Sequence, residues 1–116
     1  MVDRILRWYI EGKISGIKTE IGGSYTLDAD YVPLWVDLHL RRSTSGDRPL
    51  KVNVLDDGET IFDDKPAITS EVNDKRWTTV PEDTMREGSI ITLNIDQVAS
   101  YEPGEDLTVE LALKKV

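Results

Sequence analysis

The chain has 116 residues and a mass of 13.1 kDa, a size that suits one domain with one hydrophobic core. It has no cysteine and a single histidine, which excludes disulfides, thiolate metal sites and cysteine nucleophiles and argues against histidine-rich sites. No apolar run approaches the roughly 18 residues of a membrane span, and a net charge of −8 argues against a nucleic-acid-binding domain, which is normally basic.

Apolar and polar residues alternate with a period of two along most of the chain, which predicts strands buried on one face. The first strand is predicted over 5–10, with Leu6, Trp8 and Ile10 on its apolar face. Four longer runs follow, and shorter strands are predicted at 13–17, 24–27, 60–62 and 76–80. The inward sets of the longer runs are Leu34, Val36, Leu38 and Leu40; Leu50, Val52 and Val54; Ile91, Leu93 and Ile95; and Leu107, Val109, Leu111 and Leu113.

Turn signals separate these runs. Asp57-Gly58 predicts a tight hairpin, and Pro103-Gly104 predicts a type II turn with a left-handed glycine. The polar stretch 63–83 is the longest irregular connection, and Pro81 followed by acidic residues predicts a short helical turn over 81–85. About eight strands and no long helix favour an all-β fold, a single antiparallel β-sandwich domain of jelly-roll type over residues 1–116.

The charge is unevenly distributed along the chain. Residues 1–51 carry eight basic and seven acidic side chains, whereas residues 52–116 carry six basic and fifteen acidic ones. One interpretation is that acidic turns keep a small β protein soluble. The other is a two-sided module, in which a near-neutral surface docks on a partner while an acidic surface faces water and repels nucleic acid.

The last third of the chain contains a distinctive string of residues. Ile-Thr-Leu-Asn-Ile-Asp-Gln-Val-Ala-Ser at 91–100 precedes Pro-Gly-Glu-Asp-Leu-Thr-Val at 103–109, and further matching segments lie at 8–14, 52–62 and 65–68. As a set, these motifs resemble a family of small β-sandwich proteins encoded by tailed bacteriophages and prophages. In that family a strand ending in Ile-Asp-Gln-Val-Gly is followed by a Pro-Gly or Ala-Gly turn and an Asp-Leu-Thr-Val strand.

The resemblance spans nearly the whole chain and implies a structural or surface role in the virion, with no catalytic residues to carry over. Ala99 stands where the family has glycine, so the turn after Val98 is expected to differ in backbone form. The preferred function is a capsid decoration, or cement, protein that docks on the head shell and stabilises it. Its partners would be the major capsid protein and further copies of itself in a symmetric oligomer such as a trimer, with no nucleic acid or membrane partner. The alternative is a tail or fibre module that binds a host surface glycan.

The near-neutral half of the sequence supplies the predicted contact surface. Tryptophan and arginine side chains dominate the binding energy of many interfaces, and Trp35 is predicted to point away from the core beside His39. Trp35 could instead cover a sheet edge or stack on a sugar ring. The predicted partner-contact residues are Arg4, Arg7, Trp35, His39, Arg41 and Arg42.

Residues that could carry chemistry have simpler structural interpretations. Asp37 and His39 share a strand face near Ser43, but no nucleophile motif accompanies them, so no enzyme activity is predicted. Asp96 and Gln97 are predicted to bond backbone donors in the turn that follows their strand. Acidic turns are the best candidates for calcium, but none has EF-hand spacing, so the sequence predicts no metal and no cofactor. These turns contain Asp28, Asp30, Asp56, Asp57, Asp63 and Asp64.

Overall fold

The alternating pattern gives nine β-strands and no helix in the computed structural model, which describes all residues 1–116. The structure accordingly contains no helix that could span a membrane. The strands are β1 Arg4–Lys13, β2 Tyr25–Thr26, β3 Tyr31–Arg42, β4 Leu50–Asp56, β5 Glu59–Thr60, β6 Ala67–Ile68, β7 Asp74–Trp77, β8 Ile90–Gln97 and β9 Glu105–Lys115.

The strands form two antiparallel sheets packed face to face. The first sheet has the order β1-β9-β3-β7, and the second has the order β2-β8-β4-β5, with β6 also paired to β4. Consecutive strands from β1 to β4 alternate between the sheets, as do β6 to β9. The predicted all-β antiparallel sandwich is therefore confirmed.

One continuous core of 22 buried residues lies between the sheets. Leu93 of the second sheet and Val109 of the first are both fully buried, as their alternation predicted. Trp8 of β1 is also fully buried, and its indole Nε1 donates a hydrogen bond to the Gly23 carbonyl oxygen at 3.1 Å. The ring of Tyr25 packs edge-on against the Trp8 ring, so the segment that leads into β2 closes one side of the sandwich.

A bulge in β3 overturns one predicted core position. The register of β3 against β9 shifts between Pro33 and Trp35, so one extra residue of β3 is accommodated there. Leu34, predicted to face the core, is only half-buried, whereas Tyr31 and Pro33 are buried on that side. The alternation after the bulge is the predicted one, with Val36 in the core and Trp35 on the opposite face.

Two further expectations about local structure are wrong. No strand forms over 13–17, because Lys13 ends β1 and Ile17 is exposed. No helical turn forms over 81–85, because Met85 exchanges backbone hydrogen bonds with Tyr31 at 2.7 and 2.9 Å and is held there in an extended pairing.

The hairpin turn predicted at Asp57-Gly58 is present; at Pro103-Gly104 the predicted left-handed glycine is present, but no type II turn forms, because the Glu102 carbonyl oxygen accepts from the Ser45 N–H. Asp57 and Gly58 both have positive φ, at 50° and 85°, as a tight hairpin between β4 and β5 requires. Gly104 has a φ of 78°, and a Cβ atom there would lie 3.0 Å from Thr44 Cγ2. A side chain at position 104 is therefore opposed by both backbone conformation and space.

Asp96 and Gln97 make different contacts from those predicted. The Gln97 side-chain amide donates to the Pro49 carbonyl oxygen at 2.8 Å, and the Asp96 carboxylate pairs with Lys65 Nζ at 2.6 Å. Neither side chain bonds a backbone donor in the following turn, because both reach sideways to segments that flank β4. Their role is to tie the end of β8 to its neighbours.

Candidate functional site

The outward side of the first sheet, called the outer face below, brings together four of the six predicted contact residues. Antiparallel register sets their side chains in rows that cross the strands. The outer face consists of Ile5, Arg7 and Tyr9 of β1; Thr108, Glu110 and Ala112 of β9; Trp35, Asp37, His39 and Arg41 of β3; and Asp74 and Arg76 of β7.

A row of four charged residues, two acids between two arginines, crosses the middle of the outer face. Arg7 lies opposite Glu110, which lies opposite Asp37, which lies opposite Arg76. Arg7 Nε donates to Glu110 Oε2 at 2.7 Å, and Arg76 binds both oxygens of Asp37 at 2.8 and 3.0 Å. The hydrogen bonds that Arg76 donates to the Asp37 carboxylate raise the pKa of the Arg76 guanidinium above its usual value. The row therefore has no net charge, and the bidentate pair of Arg76 with Asp37 fixes the position of the Arg76 guanidinium.

Beside this row lies a small apolar area. Ile5 and Trp35 flank Ala112 on the two neighbouring strands, and Ala112 is only 2% exposed although it points outward. The larger side chains must therefore cover the alanine. The Arg76 guanidinium lies over the Trp35 ring, 4.4 Å from its centroid, which is within cation–π range.

His39 belongs to the next row of the outer face. It pairs with Asp74 of β7, and not with Asp37, the acid two residues before it in the sequence. Its Nδ1 lies 2.6 Å from Asp74 Oδ1, while the carboxylate of Asp37 is engaged by Arg76. Ser43 lines a separate depression at the end of β3, next to Arg42. The structure thus does not assemble the Asp37, His39 and Ser43 group considered from the sequence.

Arg41 is anchored at the end of the outer face by two acids. Its Nε donates to Asp106, and its Nη2 lies 3.1 Å from Glu105 Oε2. The backbone N–H of Gly12 donates to Asp106 Oδ1 at 2.7 Å, and this bond together with Arg41 lowers the pKa of the Asp106 carboxyl. Arg41 thus links β3 to the start of β9, where the register of β1 against β9 shifts between Ile10 and Lys13.

The other two predicted contact residues lie off the outer face. Arg4 pairs with Asp28 at 2.7 Å on the flank of the sandwich, and Arg42 lies 3.3 Å from Glu105 at the end of β3, on the side of Leu40 rather than of Trp35. Every arginine among the predicted contacts therefore has an acidic partner within this chain.

Three of the six aspartates in the acidic turns accept hydrogen bonds from within the chain. Asp30 accepts the Glu87 N–H at 2.7 Å, and Asp57 accepts the Ile90 N–H at 2.8 Å. Asp28 accepts from both Arg4 and the Tyr31 hydroxyl at 2.7 Å. No group of three or more acidic or histidine side chains is placed to hold a metal ion.

Glu82 is a carboxyl group that no sequence pattern singles out. Its Oε2 atom is buried without a hydrogen-bond donor, and its neighbours are Asp56 of β4 and Glu59 of β5. Burial, reinforced by the charges of Asp56 and Glu59, raises the pKa of Glu82 to about 7. Only the tertiary fold brings these three acids together, since Glu82 lies far from the other two along the chain.

Glu82→Gln is expected to stabilise the protein at pH 8 by about 1 kcal/mol and to leave it nearly unchanged at pH 4.5. Because folding raises the pKa of Glu82, the stability that its protonated carboxyl contributes is fully present below the unfolded pKa and is lost as pH rises to about 7. Above that pH the folded protein holds a charged carboxylate in an unfavourable place, and glutamine removes that charge. The expected stabilisation is small because solvent screens the charge of a partly exposed group. Urea unfolding at several pH values measures the difference, with exposed Asp83→Asn as the matched control; a difference that does not grow between pH 4.5 and 7 would contradict it.

Arg76 is the main outer-face residue that sequence reasoning did not select. It falls in a short, polar strand, and the only local signal is a basic residue beside the half-buried Trp77. Its partners Asp37 and Trp35 are about forty residues away, so the contact depends on the pairing of β7 with β3.

Comparison with known proteins gives a match in fold. No protein-family model and no curated protein matches the chain. Among solved structures, it is similar to a chain in the capsid of Ralstonia phage GP4, with a TM-score of 0.57 and 14% identity over 100% of this chain and 87% of that chain. A chain of the cyanophage Pam1 capsid asymmetric unit aligns with a TM-score of 0.34 and 14% identity, over 97% of this chain and 86% of that one. The similarity to the GP4 capsid chain shows a shared fold.

Proposed function

We propose that this chain is a structural protein of a tailed-bacteriophage virion, a decoration protein that docks on the capsid shell and stabilises it. The observation that carries the proposal is the fold shared over the whole chain with a chain from the capsid of Ralstonia phage GP4. The motifs at 91–100 and 103–109, which resemble phage virion proteins, point the same way. The role is mechanical: bound copies add buried surface across joints between shell subunits.

The outer face supports this role as the docking surface. It is built on the four strands of the first sheet, and its rows of paired charges hold their side chains in fixed positions. Fixed side chains lose little conformational freedom on binding, so less of the contact energy is lost to ordering. Trp35 and Arg76 belong to the residue types that most often dominate interface energy.

The acidic side chains without a salt-bridge partner concentrate elsewhere. Seven of these fourteen side chains lie in the hairpin of the second sheet and in the segments next to it, including Asp56, Glu59, Asp63 and Asp83. This distribution supports a module with a balanced face toward the shell and an acidic surface toward water. We propose that copies docked side by side on the shell also contact one another and form a symmetric oligomer such as a trimer.

The strand order supports a jelly roll as the specific form of the sandwich. β5 and β6 both pair with the same edge of β4, because β8 occupies its other edge. They therefore fill one strand position, which leaves eight positions, four in each sheet. An eight-stranded double sheet is the jelly-roll plan.

Phage particles that lack this protein are expected to release DNA at a lower temperature than complete particles, and adding the purified protein should restore the difference. The physical reason is that each docked copy adds contact area that must be broken before the shell opens, and contacts repeated around a symmetry axis reinforce one another. Release is measured by the fluorescence of a DNA-binding dye during a temperature ramp.

Adsorption of the same particles to host cells provides the discriminating control. Particles that keep their DNA on heating but adsorb poorly would contradict the decoration role and favour a tail or fibre module that binds glycan. Particles with unchanged heat resistance and unchanged adsorption would contradict both functions.

A further inference from the structure

The outer edge of β1 is the longest free strand edge in the molecule. β1 has ten residues and lies at one end of the first sheet, whereas the strands at the other sheet edges have two or four residues. Free edges expose unpaired backbone groups that can pair with another chain, and most proteins keep such edges short or covered.

The residues of β1 whose backbone groups face this edge can be identified. The N–H and C=O of Arg7 bond the Tyr25 hydroxyl and not β9, so they point to the free edge. Backbone groups in an antiparallel strand alternate in direction, so those of Ile5 and Tyr9 point the same way. No turn, loop or side-chain hydrogen bond reaches the main chain of Ile5 or Tyr9, and their side chains are 50% and 55% exposed.

Tyr25 occupies the centre of this edge. Its hydroxyl donates to the Arg7 carbonyl oxygen at 2.5 Å and accepts from the Arg7 N–H at 3.3 Å, which are the two bonds that a partner strand would make there. Its ring is held in place by the edge-on contact with Trp8, with ring centroids 5.4 Å apart. Tyr25 thus substitutes for a neighbouring strand at one residue and leaves the residues on both sides open.

We propose that the outer edge of β1 is a self-association surface that pairs antiparallel with β1 of a second copy of this chain, and that Tyr25 holds it closed in the isolated protein. This proposal does not depend on a role in the virion.

The spacing of the exposed side chains makes the edge self-complementary. In an antiparallel pair centred on Arg7, a two-fold axis sets Ile5 of each copy opposite Tyr9 of the other. Aliphatic and aromatic side chains in such cross-strand pairs stabilise a sheet. The two Arg7 side chains do not oppose this pairing, because each guanidinium is drawn toward Glu110 on β9, away from the free edge.

Tyr25→Leu opens the centre of the edge while keeping an apolar side chain against Trp8. Sedimentation velocity of the full chain over a concentration series should show self-association at least about tenfold tighter than in the wild type. Adding Ile5→Pro should return association to the wild-type value, since proline lacks the edge-facing N–H but removes no bond to β9. The matched control is Tyr101→Ala, which removes an aromatic side chain that is 79% exposed and distant in sequence from β1.

Two sedimentation results overturn the proposal: Tyr25→Leu associates no more tightly than the wild type, or its association persists with Ile5→Pro. If circular dichroism shows that Tyr25→Leu is unfolded, hydrogen exchange of the wild type decides. In dilute solution the amide of Arg7 should exchange slowly, and those of Ile5 and Tyr9 quickly. Ile5 and Tyr9 amides as protected as those of Leu6 and Trp8 would show that the edge is not open and would overturn the proposal.

Discussion

Leu93→Ala and Val109→Ala are each expected to lower the free energy of unfolding by about 2–4 kcal/mol. Both side chains are fully buried, Leu93 on the inner side of the second sheet and Val109 on the inner side of the first. Truncation removes buried methyl groups and leaves a cavity, and the paired strands on either side of β8 and β9 prevent the backbone from closing it.

Urea denaturation followed by tryptophan fluorescence measures this loss as a lower midpoint with an unchanged slope. Ile90→Ala is the matched control, because Ile90 belongs to β8 but is 48% exposed, and it should change stability by less than about 0.5 kcal/mol. Losses below about 0.5 kcal/mol at both Leu93 and Val109 would mean that the inner sides of the sheets are misassigned.

The features that sequence predicts well are those that depend on neighbours along the chain. Side chains alternate across a strand whatever its partner, so the period of two identified the buried side of β8 and β9 directly. The hairpin at Asp57-Gly58 was equally local, because the positive φ of both residues is a preference of the dipeptide itself.

The features that sequence missed depend on which strands pair and in what register. The bulge before Trp35 arises where β3 meets β9, and it moved Leu34 out of the core without any signal in the alternation. Arg76 joined the outer face only because β7 pairs with β3. The sequence selected arginines one by one for an interface, but it could not show that each is neutralised by an acid that is distant along the chain.

These ion pairs change how the docking face should be tested. Reversing the charge of Arg41 or Arg42 would leave Glu105 and Asp106 beside new like charges, so a loss of binding could come from local disruption. Trp35 is a better position for testing the docking surface, because it takes part in no ion pair that its loss would break. Its side chain is half-buried and lies under the guanidinium of Arg76.

Trp35→Ala is expected to weaken rebinding to particles that lack this protein by about 30-fold or more, equivalent to about 2 kcal/mol. In the decoration role that we propose, Trp35 and Ile5 form the apolar part of the docking surface, with the Arg7 to Arg76 row beside it. Truncating a tryptophan at the centre of an interface loses its contact area and lets water reach the neighbouring charges. Titrating fluorescently labelled protein onto the particles and separating bound from free by sedimentation gives the dissociation constant.

Two variants separate docking from loss of structure. Tyr101→Ala removes a more exposed aromatic side chain outside the outer face and should bind as the wild type does. Arg76→Ala removes the guanidinium stacked on Trp35 but keeps the indole, so a smaller loss than that of Trp35→Ala is expected if the ring itself contacts the shell. A Trp35→Ala protein that unfolds as the wild type does and rebinds with unchanged affinity would place the docking surface elsewhere, and the second sheet, with its acidic hairpin at Asp57, would then be the face to mutate.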